Sequence, residues 1–180
     1  MQSSRSDSDL DLLKQSARGD ATAFHELVDR HADRLFALAV SLLRNHADAE
    51  DVLQETLAGA YRGLAKFEQR ASVKTWLTKI LILQIAKWRR DQRSKRTEPI
   101  DPQAAAAEEH ETSAASRIDL HAALATLSPE HQDVLALREF EQLSYEEIAD
   151  VLGVPRGTVE SRLFRARAEL REKLKAYRSM

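Results

Sequence analysis

The residues best suited to recognition chemistry lie in one short segment, Ser144 to Arg167. When its second half is placed on a helix at about 100° per residue, guanidinium, hydroxyl and aromatic groups fall on one outward face and its edges. Arginine matches guanine, serine and threonine bond several base edges, and an aromatic ring packs on the thymine methyl group. We therefore predict DNA reading in the major groove, the alternative being a solvated helix with scattered arginines. The candidate residues are Arg156, Thr158, Glu160, Ser161, Arg162, Phe164, Arg165 and Arg167.

Two helices joined by a tight turn must position that face. Ser144 and Glu147 have the spacing of a capping box at the start of the first helix. Gly153 stands where a helix ends in a left-handed residue, and Pro155 suits the first turn of the next helix. The segment is therefore predicted to form a helix-turn-helix. Its second helix would pack on the domain through Val159, Leu163, Ala166, Leu170 and Leu174.

Charge is segregated along the 180 residues, although the net charge is only −2. Residues 66–96 hold ten Lys or Arg against two acids, and residues 155–178 hold eight against three. Residues 117–154 hold eight acids against two basic residues. Two basic stripes in an otherwise acidic chain indicate a protein that contacts a polyanion at two places.

Several classes of function are excluded or disfavoured by composition. The chain has no cysteine, so thiolate metal sites and cysteine nucleophiles are excluded. It also lacks the phosphate-binding and nucleophile-elbow motifs, and no His and carboxylate cluster is evident. We expect no enzymatic activity, no cofactor and no metal. The polar N-terminus and the short apolar runs favour a cytoplasmic protein.

Helical periodicity with few glycines and prolines predicts an all-α fold. We expect two small domains of four helices each, at 1–95 and 117–180, joined by a flexible acidic linker at 96–116. The linker prediction rests on its prolines, its alanine run and the five acids without a base in residues 97–116. The expected helices are Asp9–Ala17, Ala21 to about Arg44, about Ala47 to Lys66, Val73 to about Lys95, Ile118–Leu127, Ser128 to Phe140 and the two of the helix-turn-helix with a basic tail.

Three blocks elsewhere in the chain carry a family resemblance. They are Asp48-Ala49-Glu50-Asp51-Val52-Leu53-Gln54-Glu55-Thr56, then Thr75-Trp76-Leu77, then Leu127-Ser128-Pro129-Glu130-His131 with Leu137-Arg138-Glu139-Phe140. Together with Ser144 to Arg167, they resemble an extracytoplasmic-function (ECF) sigma factor of bacterial RNA polymerase over about residues 10–175. The resemblance implies a factor that binds core polymerase and promoter DNA and directs promoter-specific initiation.

The resemblance also implies a role for each domain. The first would bind the polymerase clamp and the −10 element and help to open it; the second would read the −35 element and touch the polymerase flap. A base flipped from the non-template strand needs stacking and hydrogen bonds in a pocket. The implied clamp-binding residues are Asp48, Asp51, Gln54 and Glu55, and the −10 candidates are Phe67, Arg70, Lys74, Trp76, Lys79, Arg89, Arg90 and Arg93. A cognate anti-sigma protein is a further implied partner.

Two positions depart from the family pattern. Glu160 stands where many relatives carry Lys or Arg, and Val73 replaces a more common aromatic residue. A carboxylate at 160 would repel phosphate and accept only from a donor such as cytosine N4. The alternatives are a polymerase- or regulator-binding adaptor without initiation activity, which Glu160 supports, and a helix-turn-helix repressor, which would be a symmetric dimer.

Overall fold

The computed structural model describes residues 2–69, 71–97, 124 and 126–178. Every regular element in these ranges is helical, which confirms the predicted all-α fold. The predicted linker and most of the predicted helix Ile118–Leu127 lie outside the described residues. The α-helices are α1 (Gln2–Ala17), α2 (Ala21–Leu43), α3 (His46–Gly63), α4 (Val73–Thr97), α5 (Pro129–Leu135), α6 (Tyr145–Leu152) and α7 (Arg156–Arg178).

Helices α1 to α4 enclose the first part of the core. The Asp20 carboxylate accepts hydrogen bonds from the first main-chain N–H groups of α2, as its position before an apolar run predicts. Leu35 of α2 and Leu81 and Ile85 of α4 are fully buried, and the two helices pack against each other. The central part of α4 is therefore largely enclosed, although Leu83 and Ala86 are exposed.

Helix α3 approaches α4 closely at its two glycines. A Cβ atom added to Gly59 or Gly63 would lie 3.4 Å from Ile80 Cγ2 or Trp76 Cζ2, respectively. The four-residue glycine spacing thus serves close helix packing. Helix α3 ends three residues earlier than expected, because a 3₁₀ turn at Leu64–Lys66 closes it.

The second domain departs from the prediction in one element. The helix that starts at Ser128 was expected to run to Phe140, but α5 ends at Leu135 and a π-helical turn spans Ala136–Phe140. The N–H of Glu141 donates to the carbonyl of Ala136, five residues earlier, at 3.2 Å. This wider turn redirects the chain before α6.

The helix-turn-helix is present as predicted. The Ser144 hydroxyl accepts from the Glu147 N–H at 3.2 Å, and the Glu147 carboxylate accepts from the Ser144 N–H at 2.9 Å, which completes the capping box. Gly153 ends α6 with a φ of 66°, in the left-handed region. The capping box and the glycine together fix the direction in which α7 leaves the turn.

Replacing Ser144 by Ala is expected to lower the free energy of unfolding by about 0.5–2 kcal/mol, because α6 loses an N-terminal cap. Urea unfolding followed by circular dichroism measures the change. Ser94→Ala, at an exposed position of α4, is the control and should change stability by less than about 0.5 kcal/mol. Equal stability of the two variants would contradict a structural role for the capping box.

Candidate nucleic-acid interface

Helix α7 has one buried and one exposed face. Val159, Leu163 and Ala166 are 0–1% exposed and pack on the domain. On the opposite side Phe164 is 76% exposed, and Ser161 and Arg165 are exposed beside it. A large aromatic side chain at the surface among hydrogen-bonding groups is the arrangement that was predicted for base reading.

The arginines of α7 differ in their present partners. Arg156 donates to Glu160 at 2.9 Å and also pairs with Glu146. Arg167 donates to Glu139 at 2.9 Å. No ion pair holds Arg165 within the part of the chain that the structure describes. Glu160 therefore acts in this structure as a partner of Arg156.

Two further predicted residues of α7, Thr158 and Arg162, are partly buried. The Thr158 carbonyl accepts the Ser161 hydroxyl hydrogen bond at 3.0 Å. A cleft of about 320 Å³ lies beside Phe164, between α7 and the start of α6, with Tyr145 among its lining residues. The aromatic part of the predicted reading face thus continues into a concave surface.

The basic stripe of α4 lies against the second domain. Arg89 donates to both Asp133 carboxylate oxygens at 3.0 Å, and Lys79 donates to Asp150 at 3.0 Å. Of the other basic −10 candidates, Arg90 and Arg93 are exposed near the end of α4, and Arg70 lies outside the described residues.

Glu141 joins the two domains at the start of α4. Its carboxylate is almost fully buried and pairs with Arg34 of α2. The Lys74 ammonium lies 3.4 Å from the same carboxylate and donates to the Glu141 carbonyl at 2.7 Å. Sequence reasoning missed these contacts. The opposite charges of 66–96 and 117–154 are the only signal in the sequence that could have indicated them.

Two other carboxyl groups of the second domain face the first. Burial opposes ionisation of Glu147, but hydrogen bonds from Ser144 and from the Thr75 hydroxyl, the latter at 3.0 Å, outweigh it and lower its pKa. Burial raises the pKa of Asp133 against the opposing effect of Arg89. Hydrogen bonds thus favour the ionised form of Glu147, whereas burial disfavours the ionised form of Asp133 and Arg89 favours it.

The aromatic candidates of the first domain contact each other. The rings of Phe67 and Trp76 have centroids 5.2 Å apart and an angle of 59° between their planes. Both are partly buried, and each retains exposed surface. Trp76 directly follows Thr75, whose hydroxyl donates to Glu147 of the second domain.

The acidic candidates lie on the outer side of α3. Asp51, Gln54 and Glu55 are exposed, and Asp48 is partly buried in the first turn. The Asn45 side chain accepts from the Asp48 N–H at 3.2 Å and caps the helix. The structure thus leaves three of the four side chains accessible to a protein partner.

No group of three His or carboxylate side chains in the described ranges is arranged to hold a metal ion. None of the helices described has both the length and the hydrophobicity that a bilayer span requires.

Comparison with known proteins identifies the family. Residues 27–95 match the model of sigma-70 region 2, and residues 117–170 match that of sigma-70 region 4. The ECF RNA polymerase sigma factor SigE of Mycolicibacterium smegmatis is 38% identical over 176 residues, covering 91% of this chain and 67% of that protein. The RNA polymerase sigma-H factor of Pseudomonas aeruginosa is 35% identical, covering 88% and 90%.

The chain belongs to the ECF sigma factors. It is an RNA polymerase sigma factor, and the resemblance of its three sequence blocks is confirmed. Two solved structures resemble it over both domains. CnrH, solved in complex with the cytosolic domain of CnrY, has a TM-score of 0.70 and 28% identity, covering 94% of this chain and 98% of that one. RpoE of Bartonella quintana, solved with the anti-sigma factor NepR, has a TM-score of 0.68 and 29% identity, covering 84% and 96%.

Replacing Glu160 of this sigma factor by Gln is expected to raise affinity for a mixed-sequence 20-bp duplex by about 3–10-fold at low salt. The change removes one carboxylate and frees the Arg156 Nε group for phosphate, while Glu146 still pairs with the same guanidinium. Fluorescence anisotropy of a labelled duplex measures the gain. In an Arg156→Ala background the gain should fall to about twofold, because the two side chains then no longer interact. An equal gain in both backgrounds would show that Glu160 acts independently of Arg156.

Proposed function

We propose that this ECF sigma factor reads its promoter at two sites. Residues 1–95 bind the polymerase clamp and the −10 element, and residues 117–180 read the −35 element and contact the flap, with 96–116 as the connecting linker. The separate region 2 and region 4 matches support this division. The single observation that carries the proposal is the outer face of α7, where the exposed Phe164 stands beside Arg165 on a helix buried on its other side.

Base reading at the −35 element is assigned to the outer face of α7. Phe164 would contact a thymine methyl group, Arg165 would bond guanine, and Ser161 would bond a base edge. The residues at the edges of this face would orient the helix on the DNA backbone or read neighbouring base edges. They are Arg156, Thr158, Glu160, Arg162 and Arg167.

Opening at the −10 element is assigned to α4 and the turn before it. Phe67 and Trp76, which already pack together, would stack on an extruded base. The basic side chains would hold the backbone of the single strand. They are Arg70, Lys74, Lys79, Arg89, Arg90 and Arg93.

Core binding is assigned to the outer side of α3, through Asp48, Asp51, Gln54 and Glu55. We also propose that a cognate anti-sigma protein holds this factor inactive. RpoE of Bartonella quintana was solved with such a partner. A factor of this kind acts in the cytoplasm beside polymerase and catalyses no reaction itself.

Run-off transcription with purified core polymerase tests the proposal. Promoter duplexes are first selected from a random pool by the reconstituted holoenzyme, and then transcribed. Specific transcripts that start downstream of the selected −35 and −10 sequences are the expected result. Binding to core without any specific transcript would overturn the proposal in favour of the adaptor.

Replacing Arg165 by Ala is expected to weaken holoenzyme binding to the selected promoter by about 1–3 kcal/mol and to relax preference at one or two −35 positions. The loss follows from removing a bidentate contact to a base. Arg171→Ala, at an exposed position further along α7, is the matched control. Equal losses on selected and scrambled −35 sequences would refute base reading by Arg165.

The paired change Asp51→Asn and Glu55→Gln is expected to weaken core polymerase binding by about tenfold or more, since charged groups at an interface contribute on this scale. Asp29→Asn with Asp33→Asn, at exposed positions of α2, removes the same charge away from α3. Affinity is measured by competition with a labelled wild-type factor. The assignment of α3 to the clamp fails if both pairs bind core alike.

A further inference from the structure

The N-terminal helix α1 packs on the first domain through a face that is half polar. The buried side chains of α1 recur at helical spacing, and they are Asp9, Leu12, Leu13 and Ser16. The Ser16 hydroxyl is satisfied within α1, because it donates to the Leu12 carbonyl at 2.7 Å. Two leucines supply little apolar area for a helix of 16 residues. The docking of α1 therefore depends on how Asp9 is paired.

Asp9 is paired with two residues of α2. Its Oδ2 atom lies 2.9 Å from Nε2 of His31, and its Oδ1 atom accepts from Nη1 of Arg30 at 3.1 Å. Asp9 and His31 are 9% and 8% exposed, so water cannot easily replace the hydrogen bond between them. Removing one partner would leave the other buried and unsatisfied, which costs free energy. Asp9 thus specifies the position of α1 along α2.

The His31 ring donates its hydrogen bond to Asp9 in the neutral form. Burial lowers the pKa of His31, Arg34 and Arg30 act in the same direction, and Asp9 opposes them. The ring is therefore neutral at pH 7. A carboxylate can only accept a hydrogen bond, so the proton of the ring is on Nε2. The bond to Asp9 fixes this tautomer and makes the contact between α1 and α2 directional.

Helix α1 also packs on the 3₁₀ turn at Leu64–Lys66. Leu64 is the buried residue of this turn and belongs to the same apolar core as Leu12 and Leu13. The turn has only three residues, and Gln69 follows it with a φ of 56°, which is uncommon outside glycine. Such a segment keeps one conformation only when neighbouring elements hold it. Helix α1 supplies that support from outside the connection between α3 and α4.

The 3₁₀ turn positions both aromatic rings that are assigned to the −10 base. The Phe67 N–H donates to the Leu64 carbonyl at 3.3 Å, so the backbone of Phe67 is tied to the turn. Gly63, immediately before the turn, packs against Trp76, whose Cζ2 atom lies 3.4 Å from the position of an added Cβ. The two rings then pack with centroids 5.2 Å apart. A displaced turn would therefore move Phe67 relative to Trp76.

We propose that Asp9 is a positioning residue for −10 opening, because its bonds to His31 and Arg30 hold α1 against the turn that carries Phe67. The inference rests on the proposed role of Phe67 and Trp76 at the −10 element. Asp9 acts through α1 and the 3₁₀ turn, without contacting the DNA. Its carboxylate keeps the two rings in the arrangement that receives an extruded base, which is preorganisation of a binding pocket.

The hydrogen-bond partners of Asp9 belong to none of the other proposed surfaces. Arg30 and His31 lie on α2, and Arg30 also accepts no role beyond its bonds to Ser8 at 2.8 Å and to Glu26. The core-binding residues lie on α3 and the −35 residues on α7. Loss of the Asp9 carboxylate should therefore affect opening selectively.

The test compares Asp9→Ala with Asp11→Ala in the full chain, assembled into holoenzyme. Asp11 is exposed on the same helix, so both variants lose one carboxylate and differ in its burial. Opening is followed at saturating holoenzyme on the promoter duplex that wild-type holoenzyme selects from a random pool, with 2-aminopurine in the non-template strand of the −10 element. Affinity for core polymerase and affinity for a duplex with the −35 element alone are measured separately.

Asp9→Ala is expected to open the promoter about tenfold more slowly than Asp11→Ala, because a pocket with misplaced rings binds the extruded base less well. Its affinities for core polymerase and for the −35 duplex should equal those of the control within about twofold. In a Trp88→Phe background, the emission of Trp76 should shift to longer wavelength in Asp9→Ala only, because the ring loses its contact with Phe67.

Equal opening rates of the two alanine variants would overturn the proposal. A parallel loss of core affinity, −35 affinity and opening also overturns it, because the damage would then be general. Slow opening with unchanged Trp76 emission has the same consequence, since the ring would not have changed its surroundings.

Trp76→Ala separates this inference from the −10 assignment on which it rests. If Trp76→Ala opens the promoter at the wild-type rate, the −10 assignment fails and the inference fails with it. If Trp76→Ala is slow and Asp9→Ala is not, only the role of Asp9 fails.

A second pair of variants applies if Asp9→Ala loses helix content by circular dichroism. Asp9→Asn keeps the size of the side chain but replaces one acceptor oxygen by a donor group. Opening about threefold slower than in Asp11→Asn supports the proposal, and equal rates overturn it.

Discussion

The arrangement of the two domains depends on one buried carboxylate. Glu141 is enclosed between Arg34 and Lys74, and removing a charge from water is costly unless its partners are in place. The positions of α2, the first turn of α4 and Glu141, which directly follows the π-helical turn, are therefore fixed relative to one another. The other ionic contacts extend from this point along α4. The same contacts that orient the domains also occupy the basic groups assigned to promoter DNA.

The two surfaces proposed to read DNA therefore differ in how accessible they are in this structure. The outer face of α7 is accessible, with Phe164 exposed. Lys74, Lys79 and Arg89 of α4 are paired with carboxylates of the second domain, and Phe67 packs on Trp76 near the start of the same helix. Contact with a −35 element would then be possible before domain opening, whereas contact with a −10 strand would require it. Core polymerase, by binding each domain at its own place, would supply the opening and the effective concentration that strengthens both DNA contacts.

The parts of the structure that sequence predicts well are those set by neighbours in the chain. The Ser144 capping box, the Gly153 turn and the packed face of α7 depend on residues within a few turns of one another. The domain contact was not predicted, because its partners lie 107 residues apart for Arg34 and Glu141, and 44 apart for Arg89 and Asp133. Composition showed opposite charges but not their pairing.

Energy transfer between the domains tests the central claim most directly. The chain has no cysteine, so dyes can be placed specifically at Glu50→Cys on α3 and Glu172→Cys on α7, both exposed positions. We predict efficient transfer in the free factor, a fall in transfer when core polymerase is added, and low transfer at the outset when Glu141→Gln, Asp133→Asn and Asp150→Asn are present. Transfer that is the same in the free, core-bound and neutralised factor would contradict a domain arrangement held by the ion pairs of Glu141, Asp133 and Asp150.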